Sequence, residues 1–348
     1  MLSSRSDLET SLRYLRQIQF ADLGAEGQKR LAEARALVCG CGALGTMVAN
    51  HLVRAGVGFV RIVDRDLVDL SNLHRQCLFD EEDARRQLPK AVAAADKLQR
   101  INSEVRVEPI VADIRSDNIG ELAQDVDLLV DGTDNFETRF LLNDYAIRQN
   151  VPWIFAACLG AQGQVMVVLP GETPCLRCLI PTLPPAGTLP TCETAGILGP
   201  VVGVVASLEA MEALKILAGR RDAVTHDLIV VNLWPVRLRQ ISLTSMRDPS
   251  CPTCVEQRFE FLEHRRESTS VALCGRKTVQ VTPPEGRCDL DEIHKRWNAL
   301  GEVERCPYFL RLRTPDWTLT LFPDGRALIT GIDDPVLGRT IYARFVGM

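Results

Sequence analysis

The 348-residue sequence contains no GxxxxGK(S/T) motif, which excludes a P-loop as its nucleotide-binding device. Its start, MLSSRSDLETSLRYLRQIQF, carries charge throughout and lacks the apolar run and small-residue cleavage site of a secretory signal, so a cytoplasmic protein is expected. Two stretches are free of charge, 149–171 and 195–208. The first contains Pro152, Gln162, Gly163 and Gln164 and the second is too short to span a bilayer, so both read as buried core and no membrane association is expected. An excess of positive charge is also missing: the net charge is -5, and nucleic acid is not an expected partner. Repeats and low-complexity tracts are absent. The five histidines offer little, His51 reading as a packed mid-helix residue.

What is present suits a soluble globular chain: 46% hydrophobic and 24% charged residues, with length for one large domain and one small. From residue 36 short apolar runs alternate with helical patterns, the signature of parallel βαβ units. Strands are predicted at 36–39, 59–64, 105–111, 126–131 and 153–158, with helices at 43–55, 88–102 and 136–149, the second opening at Pro89. After Cys158, QVMVVLP, DLIVVNL and VRLRQISL read as hairpin-type strands around an apolar helix at 197–218. The fold class is therefore α/β, a Rossmann-like, doubly wound, mainly parallel sheet with a mixed second half. The polar segment EHRREST at 263–269 marks a boundary between domains 1–262 and 270–348. Beyond it, TVQVTP, DLDEIHKRWNAL, YFLRLR, TLTLFPDGRALITG and PVLGRTIYARFV predict a small α+β domain with an Asp-Gly turn.

GCGALG sets Gly40, Gly42 and Gly45 between the first strand and the first helix. Glycines there permit a tight turn and close backbone approach, and the helix N-terminus favours phosphate. Asp64 ends the next strand, about twenty residues on, where a carboxylate can accept both ribose hydroxyls. The alternative is that these glycines serve only close helix-sheet packing.

Twelve cysteines without a secretion signal point to metal ligation, catalysis or burial. Cys175-x-x-Cys178 and Cys251-x-x-Cys254 supply four thiolates in two close pairs, the tetrahedral demand of a structural Zn²⁺. A CxxC redox couple is the rival reading, but it calls for a pair near the start of a βαβ unit. Cys192 follows the Pro-rich loop PTLPPAGTLP and precedes a helix, a setting that can lower a thiol pKa and make a nucleophile. Cys39, Cys41, Cys77 and Cys158 are expected as packing residues, and Cys274, Cys288 and Cys306 lack metal spacing.

RYLRQI (13–18), GCGALG, DRDLVDLSNLHRQ (64–76), LPK (88–90), DGTDN (131–135), TCETAG (191–196) and the two CxxC pairs occur in one order over roughly 10–256. In this the chain resembles the ThiF, MoeB and HesA type of activating enzyme, related to the ubiquitin-activating enzymes. The resemblance implies ATP-dependent adenylation of the C-terminal glycine carboxylate of a small ubiquitin-like or sulfur-carrier protein ending in Gly-Gly. It also implies Mg²⁺ and a homodimer. By the same resemblance Arg75 and Lys90 contact the phosphates, Asn72 and Gln76 lie on the nucleotide, Asp134 coordinates Mg²⁺, and Arg16 reaches the neighbouring subunit's ATP. Cys192 is the position that some members use for a covalent carrier conjugate. Asp69 reads as a turn or capping residue rather than a catalytic one, and Asp66 and Asp131 read equally as either.

The simplest members of that family would end soon after the second CxxC, whereas this chain continues past it. TLTLFPDGRALITGIDDPVLGRTIYARFV is distantly similar to one half-repeat of a TATA-binding-protein fold, which is not itself a function. Arg311, Arg313, Arg326, Arg339 and Arg344 are expected as solvated charges. Carrier docking or dimer stabilisation is the expected role of this domain. Two other functions compete: an NAD-dependent oxidoreductase, since the first βαβ unit serves either nucleotide, and a non-catalytic Rossmann scaffold. Neither accounts for Arg16, Lys90, Asp134 and four thiolates together.

Overall fold

The computed structural model describes residues 12–185, 188, 190, 192–263, 269–272, 277–283, 288–298 and 300–347. The chain forms two compact units, Met1–His264 and Arg265–Met348. In the first, β1 (Arg35–Cys39), β2 (Phe59–Val63), β3 (Arg106–Ile110), β4 (Leu128–Asp131) and β5 (Trp153–Leu159) pair in parallel. Next, β6 (Gln162–Val168), β7 (Asp227–Leu233) and β8 (Val236–Ser242) continue the sheet antiparallel. The order is β3-β2-β1-β4-β5-β6-β7-β8. Ala36, Leu37, Val38 and Cys39 are all fully buried, because helices cover both faces and a central parallel strand then reads as an unbroken apolar run. One face packs Val38, Val60, Ile62 and Val130 against the helices Ala43–Ala55, Lys90–Ile101 and Gly199–Leu217. The other packs Leu37, Cys39 and Leu129 against Phe140, Leu141 and Tyr145 of the helix Phe136–Gln149.

Two local expectations change, at Pro89 and at Cys77. Pro89 stands at the N-cap of its helix rather than within the first turn. The N-terminal pattern LRYLRQIQFADLG makes a short helix, Leu15–Ile18, and after a turn a second, Gly24–Glu33, with Gly24 at φ +63°, a left-handed conformation that a continuous helix cannot contain. Cys77 is exposed, so it is not a packing residue.

The second unit is a six-stranded antiparallel sheet of β9 (Thr269–Ala272), β10 (Thr278–Thr282), β11 (Glu302–Cys306), β12 (Phe309–Arg313), β13 (Thr318–Leu321) and β14 (Ala327–Thr330). Its order is β11-β12-β13-β14-β10-β9. Leu310, Leu312, Leu319, Leu321, Ala327 and Ile329 share a core with Ile293 and Trp297 of the helix Leu290–Trp297 and Ile341 and Tyr342 of the helix Pro335–Phe345. Arg313, Arg339 and Arg344 are exposed, but Arg311 and Arg326 are buried, against expectation. The Arg311 guanidinium lies 4.5 Å from the Phe309 ring centre and donates to Glu304 at 3.0 Å and Thr320 at 3.1 Å. That of Arg326 lies 3.8 Å from the Phe322 ring centre. Aromatic faces and an acid near each, Glu304 for Arg311 and Asp324 at 3.9 Å for Arg326, partly offset the cost of desolvation.

Candidate active site

The strand order reverses between β1 and β4, the place where open α/β sheets bind ligands beyond their carboxyl ends. Two segments meet there, residues 40–45 after β1, the last three of which open the helix Ala43–Ala55, and the loop 132–135 after β4. They touch backbone to backbone: a Cβ on Gly132 would lie 2.4 Å from Gly40 O, and one on Gly45 only 1.9 Å from it. Gly40 adopts φ +93°. Gly42 is less constrained, and stands at the N-cap of the helix Ala43–Ala55. The helix therefore presents its unpaired N–H groups and its positive end at this junction.

Asp64 fixes the next loop, accepting from Cys41 N at 2.6 Å and Asp66 N at 2.7 Å. Burial raises its pKa while Lys90 pulls it back. Lys90 is itself buried, with Nζ 2.9 Å from Asp66 Oδ2. Burial disfavours its charge, but Asp66, Asp64 and Asp134 together push the ammonium up to about 12, so it stays protonated at neutral pH. Asp134 is exposed and also helps to hold the Arg65 charge, whose burial is countered chiefly by Asp113 and Asp66. Asp64, Asp66, Asp134, Arg65 and Lys90 thus share one electrostatic field. Asn72 and Gln76 are buried in the same loop, and Asn72 Oδ1 and Gln76 Oε1 have no hydrogen-bond partner. Such orphaned acceptors are costly unless a ligand supplies donors. Arg75 donates to Ser71 O at 2.9 Å and lies 2.8 Å from His74 Nε2.

Asp131 and Asp69 have architectural duties. Asp131 is wholly buried, pairs with Arg139 at 3.0 Å and accepts from Thr133 N at 2.9 Å. Arg139 also donates to Thr133 O at 2.7 Å, which pins the start of the 132–135 loop. Asp69 caps the turn Leu70–Asn72 by accepting from Ser71 N at 2.9 Å.

Away from this junction, Cys175, Cys178, Cys251 and Cys254 gather with all four sulfurs within 4.8 Å of one another. Cys175 lies 3.5 Å from Cys251, Cys178 3.5 Å from Cys254, and Cys175 4.0 Å from Cys178. A zinc tetrahedron with Zn–S near 2.3 Å has sulfurs about 3.8 Å apart, so the donor set fits that ion. These spacings are far too long for disulfides.

A family model described as "ThiF family" matches residues 14–253. The chain belongs to the ThiF family. A sulfur carrier protein ThiS adenylyltransferase of Bacillus subtilis is 42% identical over 337 residues, covering 96% of this chain and 99% of the relative. A sulfur carrier protein adenylyltransferase of Thermus thermophilus is 43% identical over 250 residues, 70% of this chain and 91% of that protein. The crystal structure of E. coli MccB shares the fold, with a TM-score of 0.59 at 21% identity over 76% of this chain and 84% of that one. The protein is an adenylyltransferase by these relatives. The competing readings, an NAD-dependent oxidoreductase and a non-catalytic scaffold, give way to it.

Two further residues were expected from the ThiF-type motifs. Cys192 begins the short helix Cys192–Ala195, but its side chain lies outside the described residues. Arg16 is exposed and donates to Gln19 at 3.1 Å. Its neighbours are pinned at the C-terminal end of the helix Ala43–Ala55: Gln17 donates to Ala55 O at 2.8 Å, Tyr14 accepts from Asn102 at 2.8 Å, and a Cβ on Gly56 would lie 2.5 Å from the Tyr14 ring. A helix of that length spans about 20 Å, which separates Arg16 from the glycine loop of its own chain.

Three residues of this ThiF-family site escaped the motif reading: Arg65, Arg139 and Glu209. Glu209 is fully buried in the long helix, and burial and then the Asp131 charge raise its pKa well above the usual carboxylate range, against the pull of the Asp131 backbone N–H and of Arg139. A signal existed, since Glu209 falls in register with the buried Val202, Val205, Ala206 and Ala213. An acid on an apolar stripe is rarely there for solvation.

Proposed function

We propose that this adenylyltransferase uses ATP to activate the C-terminal glycine carboxylate of a small sulfur-carrier or ubiquitin-like protein, releasing pyrophosphate. The observation that carries the reading is the buried Lys90 held cationic among Asp64, Asp66 and Asp134 beside two segments in backbone contact. Asp64 accepts the ribose hydroxyls, and Asn72 and Gln76 give their unpaired oxygens to the nucleotide. Residues 40–45 and the helix they open face the phosphates. Lys90 and Arg75 offset the charge that gathers on the triphosphate as the α-phosphorus is attacked. Asp134 is the exposed carboxylate that would hold Mg²⁺, an ion that neutralises phosphate charge when bound. The carrier carboxylate is already ionised at neutral pH, so its attack needs no general base. As the new carboxyl–phosphorus bond forms, the bond to pyrophosphate breaks. The name of the Bacillus subtilis relative, which aligns with nearly the whole chain, favours a ThiS-like carrier.

Carrier-dependent exchange between pyrophosphate and ATP tests this reading. Exchange is expected only with a carrier ending in Gly-Gly, and its absence with a ThiS-like carrier and Mg²⁺ present would overturn the assignment.

The reading extends to single residues outside the junction and to the second unit. Arg16, some 20 Å from its own glycine loop, acts on the partner's ATP within a homodimer, and a strictly monomeric active enzyme would refute this. The four cysteines hold one structural Zn²⁺, and metal analysis of purified protein finding none would refute that. Cys192 accepts the activated carrier as a covalent adduct, to be sought by mass spectrometry. Residues 1–262 form the ATP-binding adenylation domain, and 270–348 serve carrier docking or dimer stability. Among the described residues no helix is long and apolar enough to cross a membrane, in keeping with a cytoplasmic location.

A further inference from the structure

Lys90 meets two penalties at once. It is buried, and it is the first residue of the helix Lys90–Ile101, where the positive end of the helix dipole repels a cation. Asp66 answers both from 24 residues away in sequence. Its carboxylate lies 2.9 Å from Lys90 Nζ, and its carbonyl oxygen accepts from Lys90 N, also at 2.9 Å. The two segments are stitched further, by a bridge between Leu67 and Pro89 and by Val68 N donating to Leu88 O at 2.8 Å. Asp66 itself is open to solvent, with its side chain 45% exposed, whereas that of Lys90 is 8% exposed. The other Asp66 carboxylate oxygen lies 3.8 Å from Arg65 Nε, so a second cation shares the charge that grips the lysine.

We propose that Asp66 is a positioning residue for adenylation, gripping Lys90 through side chain and backbone so that the ammonium meets the nucleotide phosphates already aimed and charged. The proposal rests on the reading that Lys90 contacts those phosphates. Asp66 does not touch the reacting atoms. It fixes the direction of Lys90 before ATP arrives, and removes the reorganisation that a free lysine would need in the transition state.

The charged and titratable groups around Lys90 come from three elements: Asp64, Arg65 and Asp66 from the loop after β2, Asp134 from the loop after β4, and the buried Cys41 from the glycine loop. Of these acids Asp66 alone bonds the ammonium directly. Without it, desolvation weighs more heavily and the lysine loses its proton at lower pH.

The test is pyrophosphate–ATP exchange by the full-length enzyme with its carrier, following kcat and KM for ATP from pH 6 to pH 10 at saturating Mg²⁺. The set is wild type, Asp66→Asn, Asp66→Glu and Lys90→Ala, with melting temperatures. Asp66→Asn is expected to lower kcat roughly 10- to 100-fold with a smaller change in KM, and to introduce an alkaline fall in rate that the wild type lacks. Asp66→Glu keeps the charge, so it should restore the flat profile and part of the rate. An Asp66→Asn enzyme with wild-type kcat and a flat profile would overturn the proposal. So would a loss of rate matched by lost melting temperature with no change in profile, which marks a merely structural role. Should Asp66→Asn fail to fold, Asp66→Glu decides alone: a flat profile with reduced kcat supports positioning, and unchanged kcat refutes it. Near-normal exchange by Lys90→Ala would instead refute the phosphate role of Lys90, a separate failure.

Discussion

Lys90 of the first unit and Arg311 and Arg326 of the second are all buried cations, and they are stabilised by opposite means. In the first, Lys90 sits in the field of Asp64, Asp66 and Asp134. In the second, Arg311 and Arg326 lie over Phe309 and Phe322, and Arg311 bonds one acid, Glu304. Several carboxylates converging on one ammonium repel one another, and that arrangement is wasteful unless further cations or phosphate-bound metal join it. A guanidinium laid on a ring draws most of its stabilisation from the ring face and one acid, although Arg311 Nη2 has no hydrogen-bond partner. The difference separates a centre built to receive a ligand from one built to hold strands together.

The largest effect should come from emptying the first centre. Lys90→Ala is expected to lower adenylation by at least about 100-fold, with the melting temperature kept, as followed by pyrophosphate exchange and thermal unfolding. Strong destabilisation with little loss of turnover per folded molecule would erase the contrast.

Removing the second centre should do the reverse. Arg311→Met deletes a buried charge whose partner, Glu304, is partly exposed and can turn to water. A stability loss of about 1–3 kcal/mol is expected, read by urea unfolding, while exchange stays within about twofold of wild type. A large loss of exchange at intact stability would make the second unit part of the catalytic apparatus.

A third effect, seen only as pH changes, concerns a buried acid outside both centres. Asp144 accepts from Thr253 Oγ1 and Phe261 N, both at 2.9 Å, and so ties the helix Phe136–Gln149 to the second cysteine pair. Burial pushes its carboxyl up to about 6, against the pull of those two donors. Because the folded pKa lies above the unfolded one near 3.9, the folded state holds the proton more tightly. The contribution is full below about pH 4 and is lost as pH rises through about 6. Relative to Asp144→Asn, the wild type should lose about 2–3 kcal/mol of stability between pH 4 and pH 7. Equal pH dependence of the two unfolding curves would show that the carboxyl is not shifted.

Much of the first unit was legible because its signals are local. The β1 to β5 runs, the glycine loop and the long helix at 199–217 each declare themselves within a dozen or so residues. The grip of Asp66 on Lys90 does not, since neither residue differs in type from a solvated surface charge. The buried arginines were misread for a related reason. Arg311 alternates with Leu310 and Leu312, which gives one apolar face and implies a wet one opposite, and periodicity alone cannot tell that the polar face is also covered. The strand β11, EVERC, was missed because its charges mask a half-buried pattern that only pairing with β12 completes.

The seam where Gly40, Gly45 and Gly132 meet also limits how this protein can change. A Cβ at any of the three would fall within 2.7 Å of backbone oxygen, and a backbone cannot step aside as a side chain can. These positions have no tolerated neighbours in sequence space, so drift and laboratory selection alike must pass around them. A search for variants with altered nucleotide preference is better spent on Asp64, Arg65 and Asn72, whose side chains surround the same junction while the glycine frame stays as it is.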